Sequence, residues 1–253
     1  MLKVRLIPLV LFNDWKMVKT IQFSDIRNYG SPVAAAKTYD AQRVDEIMYL
    51  DIRATEDGRE PNYQAVSDIV GECFCPVAVG GGISTASHVK QLLSAGADKV
   101  VINTAVVENP MLISEISKVF GSQCIVVSID VYEGWMVHTC SGTVWTHLDA
   151  VSWASACECL GAGEILLNSV SRDGTEDGYD LKLLEAVVAK VNIPVIIAGG
   201  AGKPQDLVDA VNAGASAVAA GSLFLYTEHS PISARKYMEM SGLNVRKYSG
   251  GIG

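Results

Sequence analysis

The sequence predicts a (β/α)8 barrel, and three observations support this fold class. Eight β-rich apolar runs alternate with helical patterns, the runs are almost free of polar interruptions, and the second half of the chain repeats the first. A chain of 253 residues, 49% of them hydrophobic, can bury the core of one barrel or of two small domains. We predict a single barrel domain over residues 1–253.

The apolar runs have the composition of strands that are buried on both faces. Val, Ile and Leu follow one another without strict alternation, which is typical of a buried parallel sheet. Eight such strands, each followed by a helix, in roughly 250 residues fit a closed barrel. The predicted strands span residues 4–11, 46–51, 76–79, 99–103, 124–130, 164–168, 194–198 and 217–220.

The segments between the strands carry helix start and stop signals. Ser31 and Pro32 offer an N-cap and a first-turn proline before "VAAAKTYDAQ". The segment "STASHVKQLLSAG" begins with capping residues and ends at Gly96, which can adopt the left-handed conformation that terminates helices.

An internal repeat distinguishes the barrel from the alternative, a doubly wound open sheet. Residues 76–104 align without gaps on residues 194–222, and Glu46 and Glu164 keep the same offset. Two half-barrels, roughly 1–122 and 123–253, explain the repeat, whereas an open sheet gives no reason for it.

Charge and composition exclude several classes of function. The net charge is −8 and no Lys/Arg run occurs, so we expect no nucleic-acid partner. No apolar run is long enough for a membrane span, and no cleavage signal follows the first one, so we expect a cytoplasmic protein without a membrane partner. The cysteine pairs Cys73/Cys75 and Cys157/Cys159 lack zinc-ligand spacing. We expect no metal and no cofactor.

The repeat places matching glycine-rich turns on opposite sides of the barrel mouth. Glycine lets the backbone approach a ligand, and the following helix N-terminus supplies free N–H groups for a phosphate. The turns therefore predict a phosphorylated small molecule with two anionic ends, although tight turns require glycine in any case. The first cradle comprises Gly81, Gly82, Asn103 and Thr104, and the second comprises Gly199, Gly200, Gly221 and Ser222.

Charged residues near the carboxyl ends of the strands are candidates for catalysis. Asp130 ends the fifth strand and is predicted to be an acid or base, the alternative being a capping role. Asp51 and Asp173 could act chemically or hold their loops. Lys19 lies in the segment 12–30, which is long enough for a lid, where a lysine is usually solvated. The pseudo-symmetric counterpart of Asp130 is Leu11, which has no proton to exchange.

Four charged residues stand at the opposite ends of the strands and are expected to converge there. Charges of both signs at strand starts form either a stabilising plug or a gate around a pore, and the sequence leaves both open. The four residues are Arg5, Glu46, Lys99 and Glu164.

Several motifs resemble the HisF family, the cyclase subunit of imidazole glycerol phosphate synthase. They are "FGSQCIVVSID", "GAGEILLNSVSRDGTEDGYD", "VGGGI", "ADKVVINTA" and "GGAGK", in family order over almost the whole chain. The resemblance implies an enzyme that takes ammonia through the barrel from a HisH-like glutaminase docked at the N-terminal face. It also implies ring closure on a substrate with two phosphate ends.

The resemblance also implies roles for individual residues. Asp130 would be the catalytic acid or base, and Lys19 would contact substrate from the first loop. One phosphate site would contain Gly82, Asn103 and Thr104, and the other Gly174, Gly200 and Ser222. The ammonia gate would be formed by Arg5, Glu46, Lys99 and Glu164.

The chain departs from the family pattern at three positions. Leu11 stands where the family has a second catalytic Asp, Asn168 replaces a Thr and Ser171 replaces an Asp. We expect Asn168 to be among the substrate-binding residues all the same. These departures resemble the glycosyl amidation-associated WbuZ branch, so our first hypothesis is amidination of a nucleotide-activated sugar in surface polysaccharide synthesis. The alternatives are the histidine-pathway cyclase, with Asp14 as a possible replacement for the missing Asp, and a non-catalytic scaffold that activates a glutaminase.

Overall fold

The predicted strands form a closed parallel barrel in the computed structural model, which describes residues 3–247. Within that part of the chain the strands are β1 (Arg5–Asn13), β2 (Lys16–Ile21), β3 (Ser24–Gly30), β4 (Ile47–Asp51), β5 (Val77–Gly80), β6 (Lys99–Ile102), β7 (Ile125–Val131), β8 (Met136–Thr139), β9 (Val144–Asp149), β10 (Glu164–Ser169), β11 (Val195–Ala198) and β12 (Ala217–Ala220). Around the barrel the order is β1, β4, β5, β6, β7, β10, β11 and β12, and β12 pairs with β1 to close it. The predicted (β/α)8 fold is confirmed.

Side chains alternate along each barrel strand between the lumen and the helix layer. In β1, Ile7, Leu9 and Leu11 pack inside the lumen. Val10 and Phe12 pack outward in the larger cluster between strands and helices. Every residue of β5, β7, β11 and β12 is buried, which explains why these strands lack an alternating sequence pattern.

The helices surround the barrel and begin near its mouth. In the described residues they are α1 (Pro32–Ala41), α2 (Tyr63–Val70), α3 (Ala86–Ser94), α4 (Thr104–Glu108), α5 (Met111–Phe120), α6 (Ala150–Leu160), α7 (Leu181–Val188), α8 (Pro204–Asn212), α9 (Ser222–Leu225) and α10 (Pro231–Met240). Not one of them is both long and apolar enough to cross a membrane.

The predicted capping signals differ in how far they are realised. Thr85 caps α3 by accepting a hydrogen bond from the backbone N–H of His88 at 3.2 Å, and Gly96 follows that helix with a φ of +106°. Pro32 occupies the first turn of α1 as expected. The side chain of Ser31 makes no capping hydrogen bond, so that prediction was wrong in its chemistry.

Two β-ribbons that were not expected from the sequence cover the barrel mouth. The β2–β3 ribbon continues β1 as an antiparallel hairpin, and the β8–β9 ribbon continues β7 in the same way. The two ribbons approach each other where a Cβ on Gly142 would lie 3.1 Å from Cδ2 of Phe23. The expected lid segment is therefore a folded ribbon above the mouth.

A glycine at the end of β11 lies so close to β10 that a side chain cannot fit. A Cβ on Gly199 would lie 2.4 Å from the carbonyl oxygen of Ser169, and φ at Gly199 is +85°. We expect Gly199→Ala to lower the free energy of unfolding by about 2–4 kcal/mol, because left-handed strain and a backbone clash add. Gly134→Ala is the control, since Gly134 has a φ of +74° but open space around it. Urea denaturation should show that Gly134→Ala lowers the free energy of unfolding by only about 1 kcal/mol. Equal losses in the two variants would contradict a clash at Gly199.

Candidate functional site

Four charged side chains close the lower end of the barrel in an alternating ring, called here the lower ring. The guanidinium of Arg5 contacts Glu46 at 2.5 Å and Glu164 at 2.7 Å. Nζ of Lys99 contacts the same two carboxylates at 2.8 and 2.9 Å. The sequence prediction that these four residues converge agrees with this geometry, and each cation lies between two anions.

The electrostatics of the lower ring hold its charges in place. Burial lowers the pKa of Arg5, but the carboxylates of Glu46 and Glu164 outweigh burial and raise it above its ordinary value. Glu46 is almost fully buried, and its Oε1 has no hydrogen-bond partner within residues 3–247. Glu46 therefore uses its other oxygen, Oε2, for both of its ion pairs.

The upper end of the barrel opens into a cavity of about 700 Å³. Its walls come from the first cradle, from the loop after β4 and from the carboxyl ends of β7 and β10. Asp130, Asn168 and Asp173 line it, together with Leu11 of β1. The structure therefore brings most of the predicted site residues to one mouth.

Asp130 is buried at the centre of this mouth and is held by its neighbours. Its Oδ2 accepts a hydrogen bond from Nδ2 of Asn103 at 2.7 Å. Its Oδ1 accepts from Oγ of Ser128 at 3.0 Å and, more weakly, from Nδ2 of Asn168 at 3.4 Å. Burial raises the pKa of Asp130 to about 6, although these three hydrogen bonds oppose the rise. A carboxyl group with that pKa can both take up and release protons near neutral pH.

In the first cradle, the backbone of the glycine turn has the predicted conformation, but the side chains of Asn103 and Thr104 bond to protein groups. Gly81 and Gly82 both have positive φ, and Gly82 lines the cavity at the start of α3. The side chain of Asn103 is directed to Asp130, and the hydroxyl of Thr104 accepts a hydrogen bond from the backbone N–H of Cys140 at 3.0 Å. Asn103, predicted to belong to the cradle, therefore donates its side-chain hydrogen bond to the carboxylate of Asp130.

The second cradle is closed by the β2–β3 ribbon. Gly199, Gly200, Gly221 and Ser222 line a cavity of about 10 Å³ together with Lys19. Nζ of Lys19 contacts both carboxylate oxygens of Asp173, at 3.0 and 3.1 Å, and Thr20 donates to the same carboxylate at 3.0 Å. The expectation that a loop lysine is solvated was wrong, because the ribbon buries Lys19 against the β10 loop.

Gly174, assigned by resemblance to the same phosphate site, lies where this ribbon packs. A Cβ on Gly174 would be 2.7 Å from the carbonyl oxygen of Thr20. The structure therefore gives Gly174 a role in admitting the ribbon, and its role toward phosphate stays a prediction.

Two aspartates left open by the sequence have structural partners. Asp51 accepts hydrogen bonds from the backbone of Arg53 and Ala54, both at 3.1 Å, and from the guanidinium of Arg59. It therefore holds the loop after β4. Asp14 lies at the β1–β2 turn, accepts from Nδ2 of Asn62 at 3.1 Å and is exposed. Asp14 is not among the lining residues of the mouth, so it does not replace the carboxylate missing at position 11.

Sequence reasoning missed Ser128 and its contact with Asp130. The signal was present, because two residues of separation in a strand place both side chains on one face. No group of three or more His, Cys, Asp or Glu side chains in the described part of the chain is arranged to hold a metal ion. The six cysteines are free thiols.

Comparison with known proteins identifies relatives over almost the whole chain. Residues 5–230 match the family model described as histidine biosynthesis protein. Two curated relatives are named imidazole glycerol phosphate synthase subunit HisF, from Caulobacter vibrioides strains NA1000 / CB15N and ATCC 19089 / CIP 103742 / CB 15. Each is 46% identical over 252 residues, which cover 97% of this chain and 97% of the relative.

The raised pKa of Asp130 couples its ionisation to stability. The native state holds a proton on Asp130 between pH 3.8 and about 6, where the unfolded state has lost it, so stability falls as the pH rises through this range. We expect Asp130→Asn to raise the free energy of unfolding at pH 8 by up to about 3 kcal/mol relative to wild type. Near pH 4 the difference should vanish. Thermal unfolding at both pH values checks this, and a variant less stable at pH 8 would contradict it.

Proposed function

The chain belongs to the histidine biosynthesis protein family, and we propose from this membership that it is the cyclase subunit of an imidazole glycerol phosphate synthase. It is a HisF-like enzyme. The proposed reaction takes ammonia from a partner glutaminase, closes an imidazole ring on a substrate with two phosphate ends and releases an aminoimidazole ribotide. The full-length match favours this function, which the sequence alone left as an alternative, over sugar amidination and over a scaffold.

The observation that carries the proposal is the position of Asp130 at a mouth with a cradle on either side. β5 and β6 supply the first cradle, and β11 and β12 supply the second, diametrically across the barrel. The two cavities share Leu9, Leu11 and Asp173 as walls, so a ligand that occupied both would pass over Asp130's end of the lumen. This arrangement suits an elongated molecule with an anionic group at each end.

The proposed role of each side chain follows from its contacts. Asp130, with a pKa of about 6, exchanges protons with the reacting centre. Lys19 lines the second cradle and contacts substrate when it leaves Asp173. The N-terminus of α3 and the turn at Gly82 hold one phosphate, and the turn at Gly200 with Ser222 holds the other.

The lower ring supports a path for ammonia along the barrel axis. Above the ring the lumen is lined by apolar side chains such as Met48, Val101 and Val126. Neutral ammonia crosses such a lining more readily than ammonium, because an unpaired charge is costly to desolvate. The lower ring is therefore the proposed gate.

Exposed apolar side chains support docking of the glutaminase at the same end. Helices run from the mouth to the lower end, so residues at their carboxyl ends lie near the lower ring. Phe74 is fully exposed in the connection from α2 to β5, and Val119 and Met240 are 65% and 79% exposed at the ends of α5 and α10. Exposed large apolar residues on one face are typical of a protein interface.

Leu11 favours a second candidate, amidination of a nucleotide-activated sugar. Leu11 is 6% exposed and lines both cavities at the position where the family pattern has an Asp. A cyclase that lacks one of two acid–base groups is expected to lose a factor of about 10²–10⁴ in rate. This departure is the one that resembles the WbuZ branch, and the resemblance implies use of ammonia from a glutaminase for this second reaction as well.

The experiment that tests the proposal is turnover of the bisphosphate aminoimidazole precursor by the chain with a HisH-type glutaminase and glutamine. We expect product with glutamine and also with ammonium at high pH. Asp130→Asn should lower both rates by about 10²–10⁴-fold. The second candidate would replace the proposal if the precursor is not turned over and a nucleotide sugar, supplied in place of the precursor, is amidinated. Turnover unchanged in Asp130→Asn would overturn the role of Asp130.

Restoring a carboxylate at position 11 should reveal what its absence costs. We expect Leu11→Asp to raise the cyclase rate by about 10²-fold, because it supplies a second group for proton transfer opposite Asp130. Leu11→Asn is the matched control, since it has the same shape and cannot ionise. Steady-state rates at pH 7 check this, and equal rates for the two variants would contradict the explanation.

The docking face has a sharp test in one exposed aromatic residue. We expect Phe74→Asp to weaken glutaminase binding by about 10- to 100-fold, because an apolar contact is lost and a charge is desolvated. Met111→Asp is the control, since Met111 is 61% exposed at the start of α5, at the other end of the barrel. Calorimetric titration measures both affinities, and equal weakening would contradict the proposed face.

A further inference from the structure

The carboxylate of Asp130 is fixed by neighbours from three adjacent strands. Ser128 precedes it on the same face of β7, Asn168 lies beside it in the parallel register of β10, and Asn103 follows β6 on its other side. Donors of both kinds, hydroxyl and amide, are directed at it. This constellation is a property of the barrel rim and not of a mobile loop.

The hydrogen bonds divide unequally between the two carboxylate oxygens. Each oxygen can accept about two hydrogen bonds. Oδ1 accepts from Ser128 and Asn168, whereas Oδ2 accepts from Asn103 alone among the described residues. The remaining accepting position therefore lies on Oδ2.

The amide groups of Asn103 and Asn168 are oriented by the hydrogen bonds that their nitrogen atoms donate. Oδ1 of Asn103 and Oδ1 of Asn168 are buried and have no hydrogen-bond partner within residues 3–247. With no partner for these oxygens in that part of the chain, the orientation of each amide follows from the bonds that its Nδ2 donates. Nδ2 of Asn168 donates to Asp130, and Nδ2 of Asn103 donates to Asp130 at 2.7 Å and to the carbonyl oxygen of His138 at 3.3 Å.

We propose that Ser128 and Asn168 are positioning residues that occupy Oδ1 of Asp130 and leave Oδ2 as the atom that exchanges a proton with the substrate. The inference rests on the proposed function for its kinetic consequence. The contacts themselves do not depend on which substrate is bound. In a chain with Leu11 in place of a second carboxylate, the orientation of Asp130 governs the only acid–base group of the pair.

Several charged or titratable groups lie around this carboxylate, and one of them, Asp173, affects its ionisation. Asp173, in the loop after β10, raises the pKa of Asp130, and Lys19 of β2 contacts Asp173. His138 of β8 pairs with Asp130 across the β7–β8 hairpin, and Asp51 at the end of β4 lines the same cavity. None of these groups is altered by a change at Ser128 or Asn168, so the two variants isolate the hydrogen bonds.

The test measures the titration of Asp130 and the pH dependence of turnover in the same variants. Infrared difference spectra of the carboxyl band, with Asp130→Asn as the blank, give the titration midpoint without any substrate. We expect Ser128→Ala to move the midpoint up by about one pH unit, because a donor to the charged form is lost. Asn168→Ala removes the other donor to Oδ1 and should move the midpoint in the same direction by less, since its hydrogen bond is longer.

The controls separate positioning from packing. Ser128→Thr keeps the hydroxyl, so its Asp130 should titrate with the same midpoint as in the wild-type chain. Ser169→Ala makes the same chemical change at a serine that is also 5% exposed but contacts Ser171 instead of Asp130, and it should leave the midpoint unchanged. Thermal unfolding identifies any variant that fails to fold; if Ser128→Ala does not fold, Asn168→Ala carries the test.

The outcomes distinguish this inference from the proposed function. The inference is supported if the titration midpoint of Asp130 rises in Ser128→Ala and the acidic limb of the pH–rate profile moves to higher pH by the same amount. An unchanged midpoint in both folded variants overturns it, even if the wild-type chain turns over the precursor. A raised midpoint in a chain without cyclase turnover supports the positioning contacts and rejects the proposed function.

Discussion

Alternation of side chains along a closed ring of strands is the constraint on which this structure depends. In β1 the inward positions include Arg5, Ile7, Leu9 and Leu11, so one strand supplies a charge to the lower ring and a wall to the mouth. β10 does the same with Glu164 and Asn168. A shift of register by one residue would exchange every inward group with an outward one. The lower ring and the mouth are therefore fixed by the same pairing.

At the mouth, a buried carboxylate is unfavourable when charged, and the hydrogen-bond donors around it reduce that penalty. Burial disfavours the charged form of Asp130, and three hydrogen bonds favour it, so its pKa lies near neutrality instead of far above it. The lower ring solves a similar problem differently, because four buried or half-buried charges neutralise one another. One end of the barrel thus holds a carboxyl group with a pKa near neutrality, and the other holds charges of opposite sign that balance one another.

Much of the fold could be predicted because its signals are local. Strand composition fixed each barrel strand to within about two residues, and the repeat placed the two cradles opposite each other. The inward position of Asp130 followed from its place at the end of a buried strand.

The β2–β3 and β8–β9 ribbons were not predicted, because their pairing depends on the barrel rim to which they attach. The pairing of Lys19 with Asp173, 154 residues apart, has no local signal. The same holds for Asn103, whose sequence context indicates a cradle and whose side chain is directed to Asp130.

The contact between Lys19 and Asp173 has a thermodynamic consequence for anion binding. The space left beside Gly200 and Ser222 is about 10 Å³, which holds about one water molecule and no phosphate group. An anion that occupies it must separate the ammonium from the carboxylate and lift the ribbon. The observed affinity is then the intrinsic affinity reduced by the small fraction of molecules in the opened arrangement. If a phosphate binds there as proposed, part of its attraction to the lysine is consumed in that displacement, and its occupancy is coupled to the position of the ribbon.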